Sequence, residues 1–281
     1  MEALWWSLLV TVVAAALWRW MRRTNTVVGD FKGKVVWITG ASSGLGEALA
    51  LELQAAGARL ILSARREDQL ERTPAGEEPS VLPLDVAELA SLEGKVKDAT
   101  AIHGRIDVLI NNAGVSLEVD QRVMNINYFG TIALTKALVP AMTKQTTGGH
   151  IVVISSVQGK LGIPFRSAYA ASKHALHGFF DSARFELEKQ GIAVTLVCPG
   201  YIKTDLSLNA LTGSGTSYGK MDETTAKGYE PAYVAQRVMQ AVSEKRDEIM
   251  VAKPDATAGV FLKVLCPSLL KTILRKRAVT H

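Results

Sequence analysis

Apolar residues are gathered into seven short, dense runs: "KVVWITG" (34–40), "RLILSAR" (59–65), "SVLPLDV" (80–86), "IDVLINNAG" (106–114), "HIVVISS" (150–156), "AVTLVCPG" (193–200) and "EIMVAK" (248–253). They are nearly continuous rather than cleanly alternating, as strands buried on both faces of a parallel sheet require. Between them the spacing lengthens to the helical period over Gly46–Gln54, Leu89–Ile102, Val119–Met142, Ser167–Gln190 and Pro231–Ser243. Strand and helix alternating in this way predict a single α/β domain built on a doubly wound, seven-stranded parallel sheet.

Two stretches break the alternation. Tyr201–Glu230 is rich in Gly, Ser and Thr and has no strand signal. It is too long for an ordinary connection, so it reads as a lid or as disordered chain. The closing segment "AGVFLKVLCPSLLKTILRKR" is apolar and ends basic. It either packs on the domain or lies in a membrane interface.

The N-terminus carries a different pattern. "ALWWSLLVTVVAAALW", residues 3–18, has no charge and is followed by "RWMRR". Trp5, Trp6, Trp18 and Trp20 bracket the run as interfacial anchors. Trp20, Met21 and a snorkelling Arg19 extend it toward the ~20 residues a span needs. A cleaved signal peptide would want positive charge ahead of the run, where only Met1 and Glu2 stand. A buried soluble helix fits the tryptophans and arginines badly. The expected layout is therefore an anchor helix with a basic flank (1–24), a linker (25–33), a catalytic domain (34–255) and an apolar, basic tail (256–281). The arginines on the carboxyl side orient the main domain to the cytosol; an endoplasmic reticulum membrane is the expected location.

The net charge of +5 follows this layout, with Arg19, Arg22 and Arg23 after the first apolar run and Arg275, Lys276 and Arg277 closing the last. No aromatic residues interleave with basic ones, so nucleic acid is a poor partner and an anionic membrane a better one. The two cysteines, Cys198 and Cys266, allow at most one disulfide.

"TGASSGLG" places Gly40, Gly44 and Gly46 directly after the first strand and at the start of the first helix. Such a turn lets backbone approach a pyrophosphate that sits on the helix N-terminus. Ser42, Ser43 and Leu45 belong to the same turn, and its context makes the sheet Rossmann-like. The second strand ends "LSARRED", with Ser63, Arg65 and Arg66 where an acid would otherwise meet a ribose 2′-hydroxyl. Arginine suits a phosphate instead, so NADP(H) is preferred over NAD(H).

In "FRSAYAASKHALHG", Lys173 stands four residues after Tyr169 on one helix face. This is either a surface pair or a tyrosine made acidic enough to handle protons. His174 and His177 are also neighbours on this helix, but no Cys, Asp or Glu set completes a metal site and none is expected.

Taken with the Gly turn, "NNAG" at 111–114, Ser156 and "YAASK" at 169–173, the chain resembles the short-chain dehydrogenase/reductase family from Lys34 to about Lys253. The resemblance implies Tyr169 as proton donor and Lys173 as its partner. Ser156 orients the substrate, with Ser155 as the alternative. Asn127 holds a water against the lysine, with Asn125 as the alternative. Asp85 and Val86 lie by the adenine, and Asn111, Asn112, Ala113 and Gly114 line the cofactor. Pro199, Gly200, Ile202 and Thr204 form the nicotinamide segment, and Tyr169 and Lys173 also reach the cofactor. The chain departs from the family's pattern at Val115–Ile126, which is shorter than usual and puts one cleft wall and the position of Asn127 in question.

Ordinary tyrosine, with a pKa near 10, yields its proton too reluctantly for neutral pH, and a nearby ammonium lowers it. The expected function is NADP(H)-dependent interconversion of a carbonyl and an alcohol, on a small lipophilic substrate such as a steroid, retinoid or lipid ketone. A homodimer through the two long helices beside the site is expected. The rival reading is a non-catalytic, membrane-associated cofactor-binding protein or an impaired splice variant.

Overall fold

All of the dense apolar runs become parallel strands. The computed structural model describes residues 31–65, 70, 79–116, 120–204 and 223–279. Among these, β1 (Val35–Thr39), β2 (Arg59–Ser63), β3 (Ser80–Val81), β4 (Val108–Asn111), β5 (Gly149–Ile154), β6 (Ile192–Pro199) and β7 (Glu248–Val251) form one seven-stranded sheet. Its order is β3-β2-β1-β4-β5-β6-β7, and every pairing is parallel. The order reverses between β1 and β4, which opens a crevice at the carboxyl ends of these strands.

Helices cover both faces: α1 (Gly44–Ala55), α2 (Leu92–His103), α3 (Asp120–Met124), α4 (Thr131–Thr143), α5 (Ser167–Glu188), α6 (Glu223–Ala226) and α7 (Pro231–Ser243). The tail adds α8 (Pro254–Leu265) and α9 (Pro267–Val279). Successive strand residues point to opposite faces. Val36, Ile38, Leu60 and Leu62 pack in one core with Leu49 and Leu53 of α1 and Val238 and Met239 of α7. Val35, Trp37, Ile61 and Leu109 face the other way, in a core with Val96 of α2, Leu134 and Leu138 of α4, and Leu176 and Phe180 of α5. Each such side chain, buried on folding, contributes about 1.5–3 kcal/mol. This explains why the strands carry no polar alternation.

Four expectations change. The run at 80–86 is a strand only over Ser80–Val81. Pro83 has no N–H to give a ladder, although Leu82 and Leu84 still donate to Leu62 O and Ala64 O, at 2.9 and 3.1 Å. The helix expected over Leu89–Ile102 opens with a 3₁₀ turn, Leu89–Ser91. The long helix expected over Val119–Met142 is interrupted by a π-helical turn, Asn125–Gly130, between α3 and α4. The turn ends where the chain packs tightly on its neighbour: a side chain at Gly130 would stand 2.4 Å from Val86 O. Phe31, assigned to the linker, is 2% exposed and belongs to the core, so the packed domain begins before Lys34.

The segment that leaves Tyr201 is closed at its base. Ile202 bridges Tyr229, Tyr229 N donates to Tyr201 O at 2.9 Å, and Lys203 N donates to Tyr229 O at 3.0 Å. Residues 205–222 within it lie outside the described residues, as does the expected anchor at 1–24. No described helix is long and apolar enough to cross a membrane.

Candidate active site

The turn after β1 is shaped by close approach. Gly40 (φ +65°) passes so near β4 that an added Cβ would lie 2.8 Å from Ala113 Cα, and one at Gly46 would lie 2.2 Å from Gly40 O. Asn112 ties the turn down, its side-chain amide donating to Thr39 O and Gly40 O, both at 3.0 Å. Ser43, the N-cap of α1, makes no side-chain capping bond, which leaves first-turn N–H groups directed at the crevice. A bare backbone cradle at an uncapped helix N-terminus fits a pyrophosphate.

The residues named from the sequence are not all turned toward this cradle. Asn111 is buried and its side chain donates to Thr135 Oγ1 at 3.1 Å, bracing α4. Asn112 supports the turn with its side chain spent. Ser63 is also withdrawn: it accepts from the Trp37 indole at 2.9 Å and donates to Leu82 O at 2.6 Å. Arg65 stands exposed just beyond β2, while Arg66 lies outside the described residues. Asp85 is partly exposed, its carboxylate accepting from Ala87 N at 2.9 Å, and Val86 is buried. Gly44 (φ +61°) faces Thr204, whose methyl would be 3.0 Å from an added Cβ. This brings the Gly turn and the 199–204 segment together.

The paired alternatives separate. Ser156 is close enough to the Tyr169 hydroxyl to oppose the rise in its pKa; its oxygen accepts from Gln158 N at 3.1 Å and reaches Pro199 O at 3.5 Å. Ser155 is turned inward, 3.5 Å from Lys173 O. Asn125 is exposed, whereas Asn127 is fully buried. Asn127 accepts from Val115 N at 2.8 Å and donates to Val115 O at 2.9 Å and Ser172 Oγ at 3.1 Å. This grip ties Asn127 to Val115 and to Ser172 of α5, beside Lys173. An added Cβ at Gly114 would lie 3.3 Å from Asn127 Oδ1 and 3.6 Å from Lys173 Nζ, which puts all three residues in one place.

Lys173 donates to Ile154 O at 2.8 Å, and its ammonium sits 5.6 Å from the Tyr169 ring centroid. Burial pushes this lysine down to about 8. Tyr169 goes the other way: burial raises it, against smaller opposing effects from nearby Ser156 and Arg166. The expected acidification of Tyr169 by Lys173 is therefore not what the protein alone produces. The ammonium lies over the ring and is committed to a backbone carbonyl, and desolvation wins.

One cluster was missed from sequence because its members are distant. His177 Nε2 lies 3.5 Å from Cys198 Sγ, and His177 Nδ1 is 3.5 Å from Glu248, which Lys160 pairs at 2.8 Å. Burial lowers His177 to about 4 and raises Cys198. His174, the neighbour considered with it, instead meets Ala170 O at 2.8 Å and Lys263 at 3.3 Å. The Lys160 ammonium beside Glu248 opposes a cation there.

A doubly wound sheet with a Gly turn at its switch point, and a Ser–Tyr–Lys set at the carboxyl end of the adjoining strand, defines the dinucleotide-fold oxidoreductases. The profile of the short chain dehydrogenase family matches residues 34–213, and the chain belongs to that family. It is 52% identical over 266 residues to a dehydrogenase/reductase SDR family protein 7-like of Drosophila melanogaster, spanning 88% of this chain and 81% of the relative. It is 44% identical over 282 residues to dehydrogenase/reductase SDR family member 7B of Bos taurus, spanning 93% and 85%. Among solved structures, a short chain dehydrogenase/reductase from Burkholderia phymatum in complex with NAD superposes with a TM-score of 0.73 at 26% identity, over 83% of this chain and 93% of that one. A short chain dehydrogenase from Burkholderia cenocepacia in complex with NADP gives the same TM-score at 24% identity, over 87% and 98%.

Proposed function

We propose that the chain is an NADP(H)-dependent oxidoreductase that interconverts a carbonyl and an alcohol on a lipophilic substrate. The observation that carries this reading is the convergence of Tyr169, the Lys173 ammonium 5.6 Å from its ring, Asn127 and Gly114 beside the Gly-turn crevice. A surface pair would be solvated; here Lys173 is buried and Tyr169 partly so.

The cradle of Gly40, Gly44 and Gly46 would hold the pyrophosphate, with Arg65 at the ribose phosphate and Pro199, Gly200, Ile202 and Thr204 along the nicotinamide. When bound, the reduced nicotinamide supplies a hydride. Ser156, whose bond to Pro199 O is long, turns its hydroxyl to hold the carbonyl oxygen. Tyr169 gives its proton to that oxygen as the C–H bond forms. The Lys173 ammonium stabilises the phenolate left behind and restores its proton from solvent. Asn127 acts by keeping the Val115 backbone in place beside them. In the oxidation direction the same groups run in reverse, with Tyr169 as base.

The uncharged N-terminal run and its arginine flank support anchoring in the endoplasmic reticulum membrane, with the domain in the cytosol. A lipophilic substrate follows from that placement. Exposed Phe129 beside α4 and Phe185 on α5 support a homodimer through this side of the domain.

The test is binding of NADPH against NADH to the full chain in detergent, read by nicotinamide fluorescence, followed by NADPH oxidation over a panel of lipophilic ketones. NADPH preference with turnover lost in Tyr169→Phe is the expected result. Binding of neither nucleotide would overturn the reading and leave a non-catalytic protein.

A further inference from the structure

The two tail helices hold an apolar surface that the domain does not use. No residue of α8 is buried, and in α9 only Leu270 is. One side of α8 meets the domain: Gly259 lies against Leu161, and Lys263 donates to Lys160 O at 2.7 Å. Phe261 and Leu265 fall on the opposite side, with Val264 next to them; they are 59%, 78% and 80% exposed. In α9, Leu270 and Leu274 turn inward to a groove shared with Pro164. Leu269 and Ile273, one turn apart, are exposed. An apolar patch of this kind marks a contact with something other than water.

Charge identifies what that is. After Asp255 the chain has no acidic residue, while Lys263, Lys271, Arg275, Lys276 and Arg277 follow. In α9, Lys271, Arg275 and Lys276 are exposed, Lys276 on the side of Leu269 and Ile273 and the other two at the rim of the Pro164 groove. A second copy of this hairpin would bring like charges together, and a neutral apolar partner would leave them unanswered. An anionic bilayer surface answers both features, taking the apolar side chains at the acyl boundary and the basic ones among the headgroups.

We propose that the α8–α9 hairpin is a second membrane contact, independent of the N-terminal run, that seats on anionic phospholipid through Phe261, Val264, Leu265, Leu269 and Ile273. The hairpin is also tied to the candidate active site, since Arg277 donates to the Tyr201 hydroxyl at 2.9 Å. Seating it sets the cleft mouth at the lipid surface.

Cys266, exposed between the two helices, gives a native reporter, because the other cysteine, Cys198, is fully buried. The full chain is labelled there with an environment-sensitive fluorophore and reconstituted into vesicles of phosphatidylcholine, with or without phosphatidylserine. The expected result is a blue shift in the phosphatidylserine vesicles, with quenching by lipids spin-labelled high on the acyl chain. The shift is lost in Phe261→Asp/Leu265→Asp and in Lys271→Glu/Arg275→Glu, while the chain stays vesicle-bound through its N-terminus. A label that stays in water at every composition would overturn the proposal. So would a shift that ignores phosphatidylserine and charge reversal, or one that appears without lipid and grows with protein concentration, which would assign the face to a second copy. None of these readings depends on turnover.

Discussion

Lys173 is carried down to about 8 by burial, close enough to working pH for its charge to come and go. The ammonium is present below that value and lost above it. The reduction rate, followed as kcat/KM, is therefore expected to fall as pH rises through about 8, since this ratio reports the free enzyme. Lys173→Arg keeps a charge at all these pH values and removes the alkaline limb, whatever it costs in absolute rate. Tyr169→Phe deletes the proton donor, and kcat should drop on the order of 10²–10⁴-fold, with NADPH affinity kept by fluorescence titration. Arg65→Glu should reverse the NADPH-over-NADH preference in the same titration, and an unchanged ratio would remove Arg65 from the cofactor reading. The residues behind these expectations were readable as types and spacings along one chain. Their division of labour was not. Ser156 and Ser155 are adjacent in sequence but differ by which side of β5 the chain turns them to, and Asn127 and Asn125 by their places in the π-helical turn.

The strands were legible because burial on both faces leaves an unbroken apolar run, which few other structures need. Helix positions followed from period, and α7 begins and ends where the pattern does. The π-helical turn was illegible, because local propensity carries no trace of it or of the tight packing of Gly130 on the Val86 carbonyl. That contact makes a prediction at the level of the element. Gly130→Ala forces the turn away from Val86, at about 1–3 kcal/mol in urea unfolding, and also shifts the backbone that delivers Asn127. Turnover should fall even where the variant is fully folded. A Gly94→Ala control on α2, where an added methyl meets nothing within 4 Å, should leave both properties intact.

At the scale of the whole molecule, folding stability depends on holding histidines neutral. His150 on β5 lies 2.8 Å from Thr195 Oγ1, and burial, with Lys245 and Lys34, lowers it from 6.5 to about 4. The unfolded chain takes up the proton near pH 6.5 and the folded one only near 4, so stability is full above 6.5 and lost as pH falls toward 4. His177 acts in the same direction. The urea midpoint should fall between pH 7 and 4.5, and His150→Gln should flatten that fall. The stapled base at Ile202 and Tyr229 has a consequence for how such a protein diversifies. The chain leaves this staple at Lys203 and returns to it at Tyr229, so the two ends of the intervening segment are already held together. Whatever is written between them is an inset: it can be exchanged or lengthened at about 0.6 kcal/mol per doubling, without asking the sheet to refold. New substrates can thus be tried over old chemistry, and a chimaera carrying a relative's inset should keep this chain's cofactor choice while adopting the donor's substrate range.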